Sequence, residues 1–273
     1  MGKGGTGVVR ELARPGVFFD LDGTLVREGT ALPGARELLL WLEASRIPFA
    51  VLTNNSTRHP REVQARLESL GMPVPPGRIV ASNTVLAAYA REKGWGERVF
   101  VVGEAGLREA LEEEGFVLVE EDADFVAVGL ARSATYADLG RAYALIERGA
   151  IFAATNRDRR FPREDGSFSP GSGAILAFLE ASTGVEALVV GKPHEPMYHV
   201  ALRAMGGECR PCVLVGDNLI TDGLFGRRFG MRTYIVGTGV TPPSALAGLP
   251  ASLHPAEDLW AVRRDLEAFL AAL

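Results

Sequence analysis

The chain has 273 residues, 47% of them hydrophobic, and a formal net charge of −5. A chain of this size can bury a substantial core and is expected to divide into two domains. Its acidic balance gives no support for binding nucleic acid or an anionic membrane, and no uninterrupted apolar run reaches the ~18 residues of a membrane span. The amino terminus also lacks the apolar core of a signal peptide, so a cytoplasmic protein is expected.

The glycine-rich stretch 2–7 looks phosphate-binding at first sight. It lacks the closing Gly-Lys-Ser/Thr and no strand precedes it, so it reads as a flexible leader. The first strong signal is the apolar run 17–19, which ends in Asp20-Leu21-Asp22-Gly23. An apolar run of this length between glycines predicts a buried parallel strand. Side chains alternate along a strand, so Asp20 and Asp22 share a side at its carboxyl end, where open α/β sheets bind ligands. Two such close anions call for a hard divalent cation or a division into nucleophile and acid. A calcium loop is excluded because no further oxygen ligand or Glu follows at the required spacing, and Leu25-Val26 is apolar.

A second apolar strand at 48–53 runs into Thr53-Asn54-Asn55-Ser56, hydroxyl and amide groups suited to phosphate oxygens. Strands are then expected at 99–103, 116–119, 125–130 and 151–155, and helices at 104–114, 136–148 and 173–182. That is enough apolar surface for a separate α/β core. Residues 188–190 form another strand, delivering Lys192. Only Lys3, Lys93 and Lys192 among 29 basic residues are lysine, so a lysine at a strand end, where a compact ammonium differs from a guanidinium, is informative. His194 and His199 are five apart and would not share a helix face, so the segment opens an ordinary helix rather than a zinc site. Cys209 and Cys212 have no second ligand pair and precede a strand rather than a helix, so two reduced thiols are expected, with Cys212 packed as an apolar residue. The strand 212–216 ends in Asp217, with Asp222 five residues on, and an amphipathic helix from 256 to about 270 closes the chain.

Chemically capable groups thus follow a strand four times. In order and spacing they resemble the haloacid dehalogenase superfamily of phosphotransferases over nearly the whole chain. The resemblance implies that Asp20 is the nucleophile forming an aspartyl-phosphate and Asp22 the general acid and base. It also implies that Thr53 and Asn54 bind phosphate with Asn55 beside them, that Lys192 neutralises the phosphorylated aspartate, and that Asp222 supports the site. Asp20, the main-chain carbonyl of Asp22 and Asp217 would hold Mg²⁺.

The predicted fold is α/β: a doubly wound parallel-sheet core split in sequence (residues 1–93 and 188–273) around an inserted α/β cap domain at 94–187. The insertion follows Thr53-Asn54-Asn55 and precedes Lys192, which resembles the class II cap of that superfamily. Ala154-Thr155-Asn156-Arg157-Asp158, Phe161-Pro162, Gly166 and Pro170-Gly171-Ser172-Gly173 are similar to the para-nitrophenylphosphatase group, which includes pyridoxal phosphate and phosphoglycolate phosphatases. The resemblance implies a Mg²⁺-dependent hydrolase of small phosphorylated metabolites and a homodimer formed through the cap. Residues 157–160 form the expected specificity loop, with Asn156, Arg157 and Arg160 reaching the substrate. A phosphotransferase or mutase, and an idle sugar-phosphate-binding protein, are the alternatives. The intact Asp20, Asp22, Lys192 and Asp217 argue against idleness.

Overall fold

The computed structural model describes residues 14–27, 29–162 and 167–272; the glycine-rich stretch 2–7 lies outside them. Six strands form one parallel sheet in the order Leu253–Ala256, Arg232–Val236, Cys209–Gly216, Arg14–Asp20, Phe49–Thr53, Ile79–Ala81. The apolar runs are explained by burial on both faces. Phe18 packs on one side of the sheet while Val17 and Phe19 pack on the other, and every residue of Phe49–Thr53 is buried. From the central strand Arg14–Asp20 the chain first moves to one neighbour, Phe49–Thr53, and only later fills the other, Cys209–Gly216. Strand order therefore reverses beside Asp20, and the crevice at such a reversal is where α/β sheets bind ligands.

A second parallel sheet of five strands follows the order Leu188–Val189, Ile151–Ala154, Phe125–Val128, Arg98–Val102, Val117–Leu118. Its outer face is covered by helices Tyr136–Glu147 and Ser172–Thr183. The first of these is started by a reciprocal cap between Thr135 and Asp138. Its inner face does not form a separate core. Val99, Val101, Phe125 and Ala153 join one apolar cluster with Phe18, Leu52 and Leu214 of the first sheet, through helices Ser82–Lys93 and Ala105–Glu113. Gly106 makes this contact possible, since a Cβ there would sit 2.6 Å from the Arg58 main chain.

Two expectations are corrected. The strand leading to Lys192 is expected in the core from residue 188, but Leu188–Val189 pairs with Ile151–Ala154 at the edge of the second sheet. The chain crosses between sheets only at Gly191, whose N–H donates to the Thr155 carbonyl at 2.8 Å. An apolar run predicts a strand but not which sheet receives it. The second correction concerns Cys209 and Cys212, expected as free thiols and found joined in a disulfide. Their Cα atoms are 5.5 Å apart, a separation disulfides commonly span, and a three-residue spacing in sequence does not report it. Both cysteines are nonetheless packed in the apolar cluster, as expected of Cys212.

Candidate active site

Asp20 closes the central strand and is buried, and Lys192 reaches it from the crossing between sheets. The Lys192 ammonium donates to Asp20 Oδ1 at 2.6 Å and to Asp222 Oδ1 at 2.7 Å. Burial disfavours that ammonium, but the two carboxylates outweigh it and hold the Lys192 pKa above the usual lysine range. Both Asp222 oxygens are engaged, because its Oδ2 accepts from the N–H groups of Asp217 (3.2 Å) and Asn218 (3.1 Å). Asp217 Oδ2 accepts from the Val240 N–H at 2.5 Å. This close approach requires glycine on two sides. A Cβ at Gly23, which turns at φ 94°, would lie 2.6 Å from Asp217 Oδ2, and one at Gly239 would overlap it.

Asp20, Asp217 and Asp222 can each bring one oxygen within 4.8 Å of the others. Among the described residues, Asp20 Oδ2 and the Thr24 hydroxyl are the buried side-chain polar atoms without a hydrogen-bond partner. Burial, more than the adjacent carboxylates, pushes Asp20 well above the normal carboxylate range and Asp217 up to about 7. One ammonium against three carboxylates leaves the site short of positive charge.

The structure sets Asp22 apart from this cluster. Its carboxylate lies 3.6 Å from an Arg66 guanidinium nitrogen. Burial raises its pKa, while Arg66, a hydrogen bond from Asn55 and the nearby Arg58 pull it down. The Thr53 hydroxyl, at the neighbouring strand end, accepts from the Asn55 N–H at 3.0 Å. Sequence reasoning missed Arg58 and Arg66, since one lies in the loop before helix Pro60–Ser69 and the other sits inside that helix without a distinguishing pattern.

The side chains of three residues expected to touch substrate make hydrogen bonds within the protein. The side chain of Asn54 bonds to the main chain of Lys192. Asn156 donates to the Asn54 carbonyl at 2.7 Å and accepts from the Asp158 N–H at 3.0 Å and from Ser172 Oγ. The Arg157 guanidinium forks onto Glu180 at 2.8 and 2.6 Å and reaches Glu186 at 3.1 Å. Arg160 is exposed, its guanidinium 5.7 Å from the Phe168 ring centroid. Asp158, read from sequence only as part of the loop, faces the core instead and accepts from Asn54 Nδ2 at 3.3 Å. Burial raises its pKa to about 6.

Comparison with known proteins gives this geometry a family. Residues 17–117 match the haloacid dehalogenase-like hydrolase family, and residues 189–262 match a second, HAD-hydrolase-like family. The 5'-nucleotidase YutF of Bacillus subtilis is 36% identical over 226 residues, covering 83% of this chain and 88% of that protein. The chain is a haloacid dehalogenase-like hydrolase. A dihydroxyacetone phosphatase of Corynebacterium glutamicum is 35% identical over 231 residues, 85% of this chain and 84% of that one. The solved p-nitrophenyl phosphatase of Archaeoglobus fulgidus superposes with a TM-score of 0.85 at 32% identity, covering 93% and 99% of the two chains. This hydrolase is accordingly an enzyme of the phosphoric monoester class, in the p-nitrophenylphosphatase group. No helix among the described residues is long and apolar enough to cross a membrane.

Proposed function

We propose that this hydrolase cleaves small-molecule phosphate monoesters through a phosphorylated Asp20, using Mg²⁺, with the insertion setting specificity. The observation carrying this reading is the buried Asp20 carboxylate, held by Lys192 through one oxygen and unpartnered at the other. Asp20 attacks phosphorus as a carboxylate, the phosphorus–oxygen ester bond breaks, and Asp22 gives its proton to the departing alkoxide. Asp22, now a carboxylate, takes a proton from water, whose oxygen attacks phosphorus and releases Asp20 and inorganic phosphate. Lys192 offsets the negative charge of the transferring group throughout.

The residues present fit a divalent cation. Both Asp222 oxygens are engaged, so the free capacity lies at Asp20 Oδ2 and on the Asp217 carboxylate, with the Asp22 main-chain carbonyl as the third expected donor. An all-oxygen donor set matches Mg²⁺, which keeps several waters beside a few protein ligands. When bound, the ion neutralises phosphate charge and helps align the ester with the nucleophile.

The reading is tested by phosphate release from p-nitrophenyl phosphate, sugar phosphates, nucleotides, phosphoglycolate and pyridoxal phosphate. Saturable hydrolysis is expected, and no release from any of them would overturn it. Asp22→Asn should slow alkyl phosphates far more than p-nitrophenyl phosphate, whose leaving group barely needs a proton. Equal losses on both would remove Asp22 from the acid role.

The arginines of the expected specificity loop differ in their partners, Arg157 being paired with Glu180 and Arg160 exposed. Arg157→Gln is expected to lower thermal stability, because it abandons the Glu180 carboxylate, with kcat/KM falling in parallel for all substrates. Arg160→Gln should change kcat/KM for carboxylate-bearing phosphates relative to p-nitrophenyl phosphate and leave the melting temperature unchanged. The opposite assignment of the two phenotypes would place Arg157 at the substrate. A homodimer through the insertion belongs to the same proposal, and light scattering in solution checks it.

A further inference from the structure

Asn54 follows the expected phosphate-binding Thr53, yet its side chain has no N–H left to donate to a phosphate. Its Oδ1 accepts from the Lys192 N–H at 2.8 Å, and its Nδ2 donates to the Lys192 carbonyl at 3.1 Å and to Asp158 Oδ1 at 3.3 Å. An amide nitrogen has two hydrogens to donate, and both are used. The main-chain carbonyl of Asn54 is held as well, by Ser82 Oγ and by Asn156 Nδ2, each at 2.7 Å. Gly191 leaves room for this junction, since a Cβ there would stand 2.6 Å from Asn54 Oδ1 and 2.4 Å from the Thr155 carbonyl.

We propose that Asn54 is a positioning residue for Lys192, and that Asp158 of the insertion fixes the direction in which the Asn54 amide points. The inference rests on the phosphatase reading for what Lys192 does, but not for where it sits. The Lys192 side chain is long and rotatable, and its ammonium must land between Asp20 and Asp222 at 2.6 and 2.7 Å. Gripping both the N–H and the carbonyl of Lys192 sets where that side chain starts. A half-turn of the Asn54 amide would set oxygen against the Lys192 carbonyl and the Asp158 carboxylate, and nitrogen against the Lys192 N–H. Asp158 supplies one of these three repulsions, and as a carboxylate it supplies the strongest. The insertion therefore acts on the catalytic lysine through the core: Asn156 holds the Asn54 main chain while Asp158 orients its side chain.

The test compares Asn54→Ala with Ser82→Ala, which loses a buried bond to the same residue without touching Lys192. Acylation by an amine-reactive ester, followed by peptide mass spectrometry, reads Lys192 directly, and the chain's only other lysines are Lys3 and Lys93. The Lys192 side chain is 2% exposed, against 47% for Lys93, which serves as the internal reference. Labelling of Lys192 relative to Lys93 should rise at least ~10-fold in Asn54→Ala and stay at the wild-type level in Ser82→Ala. In parallel, kcat for p-nitrophenyl phosphate should fall by at least ~30-fold in Asn54→Ala, with a smaller change in KM. Unchanged protection of Lys192, or the same exposure in Ser82→Ala, overturns the role of Asn54.

Asp158 is tested by exchange. Asn54→Asp sets two carboxylates face to face and should be severely impaired, whereas adding Asp158→Asn restores a donor opposite an acceptor. The double variant should recover at least ~3-fold in kcat and part of the Lys192 protection over Asn54→Asp alone. Strictly additive effects would remove Asp158 from the junction. If wild type released no phosphate, the phosphatase reading would fail, and the labelling would still decide the inference.

Discussion

Asp20→Asn is expected to lower turnover by at least ~10³-fold without unfolding the protein. The amide keeps the shape of the carboxylate but lacks the charge that attacks phosphorus. Stability should hold, because Lys192 retains Asp222 at 2.7 Å and one of three crowded carboxylates is removed. Burial already drives Asp20 well above the ordinary carboxylate range, so a neutral side chain at this position relieves a folded-state penalty. The melting temperature should equal or exceed that of wild type. Near-normal turnover in a sample shown by mass spectrometry to be free of deamidation would falsify the nucleophile assignment.

Metal dependence should be nearly as sharp. Activity is expected to require Mg²⁺ and to be suppressed by Ca²⁺, whose larger and looser coordination shell misplaces the reacting groups. Asp217→Asn should reduce activity by at least ~10²-fold, far more than Cys209→Ser or Cys212→Ser, because Asp217, unlike the cysteines, brings a carboxylate oxygen within 4.8 Å of Asp20. The pH dependence has a defined sign. Asp217 is pushed up to about 7 by burial first and by Asp222 second, so below that pH a proton competes with the cation. Apparent Mg²⁺ affinity should therefore weaken as pH falls through about 7, as titration of activity against Mg²⁺ at several pH values will show. Full activity after exhaustive chelation would end the assignment.

Local signals carried much of the site. Asp20, Thr53, Lys192 and Asp217 each follow an apolar run, and side-chain alternation places such groups at strand ends before any partner is known. The structure gathers Asp20, Lys192, Asp217 and Asp222 within hydrogen-bonding or near-contact range, as their positions after strands implied. Asn54, Asn156 and Arg157 show where this reasoning stopped. Amides and guanidinium groups in a loop are chemically able to bind phosphate, but their use depends on which partner reaches them first. For Asn54 that partner is the main chain of Lys192, 138 positions along the chain; for Arg157 it is Glu180, 23 positions away.

By itself the sequence determined the kind of elements, their buried faces, the order of reactive groups along the chain and the family those groups belong to. These follow from hydrophobic period and residue chemistry, which are local properties. Tertiary structure alone decided that Leu188–Val189 joins the second sheet, that Cys209 and Cys212 are bonded, that Asp22 rests beside Arg66, and that the Asn54 side chain bonds the Lys192 main chain. Each of these depends on a distance or an orientation that emerges only when the chain packs. Periodicity specifies the face a residue presents, and folding selects what meets that face.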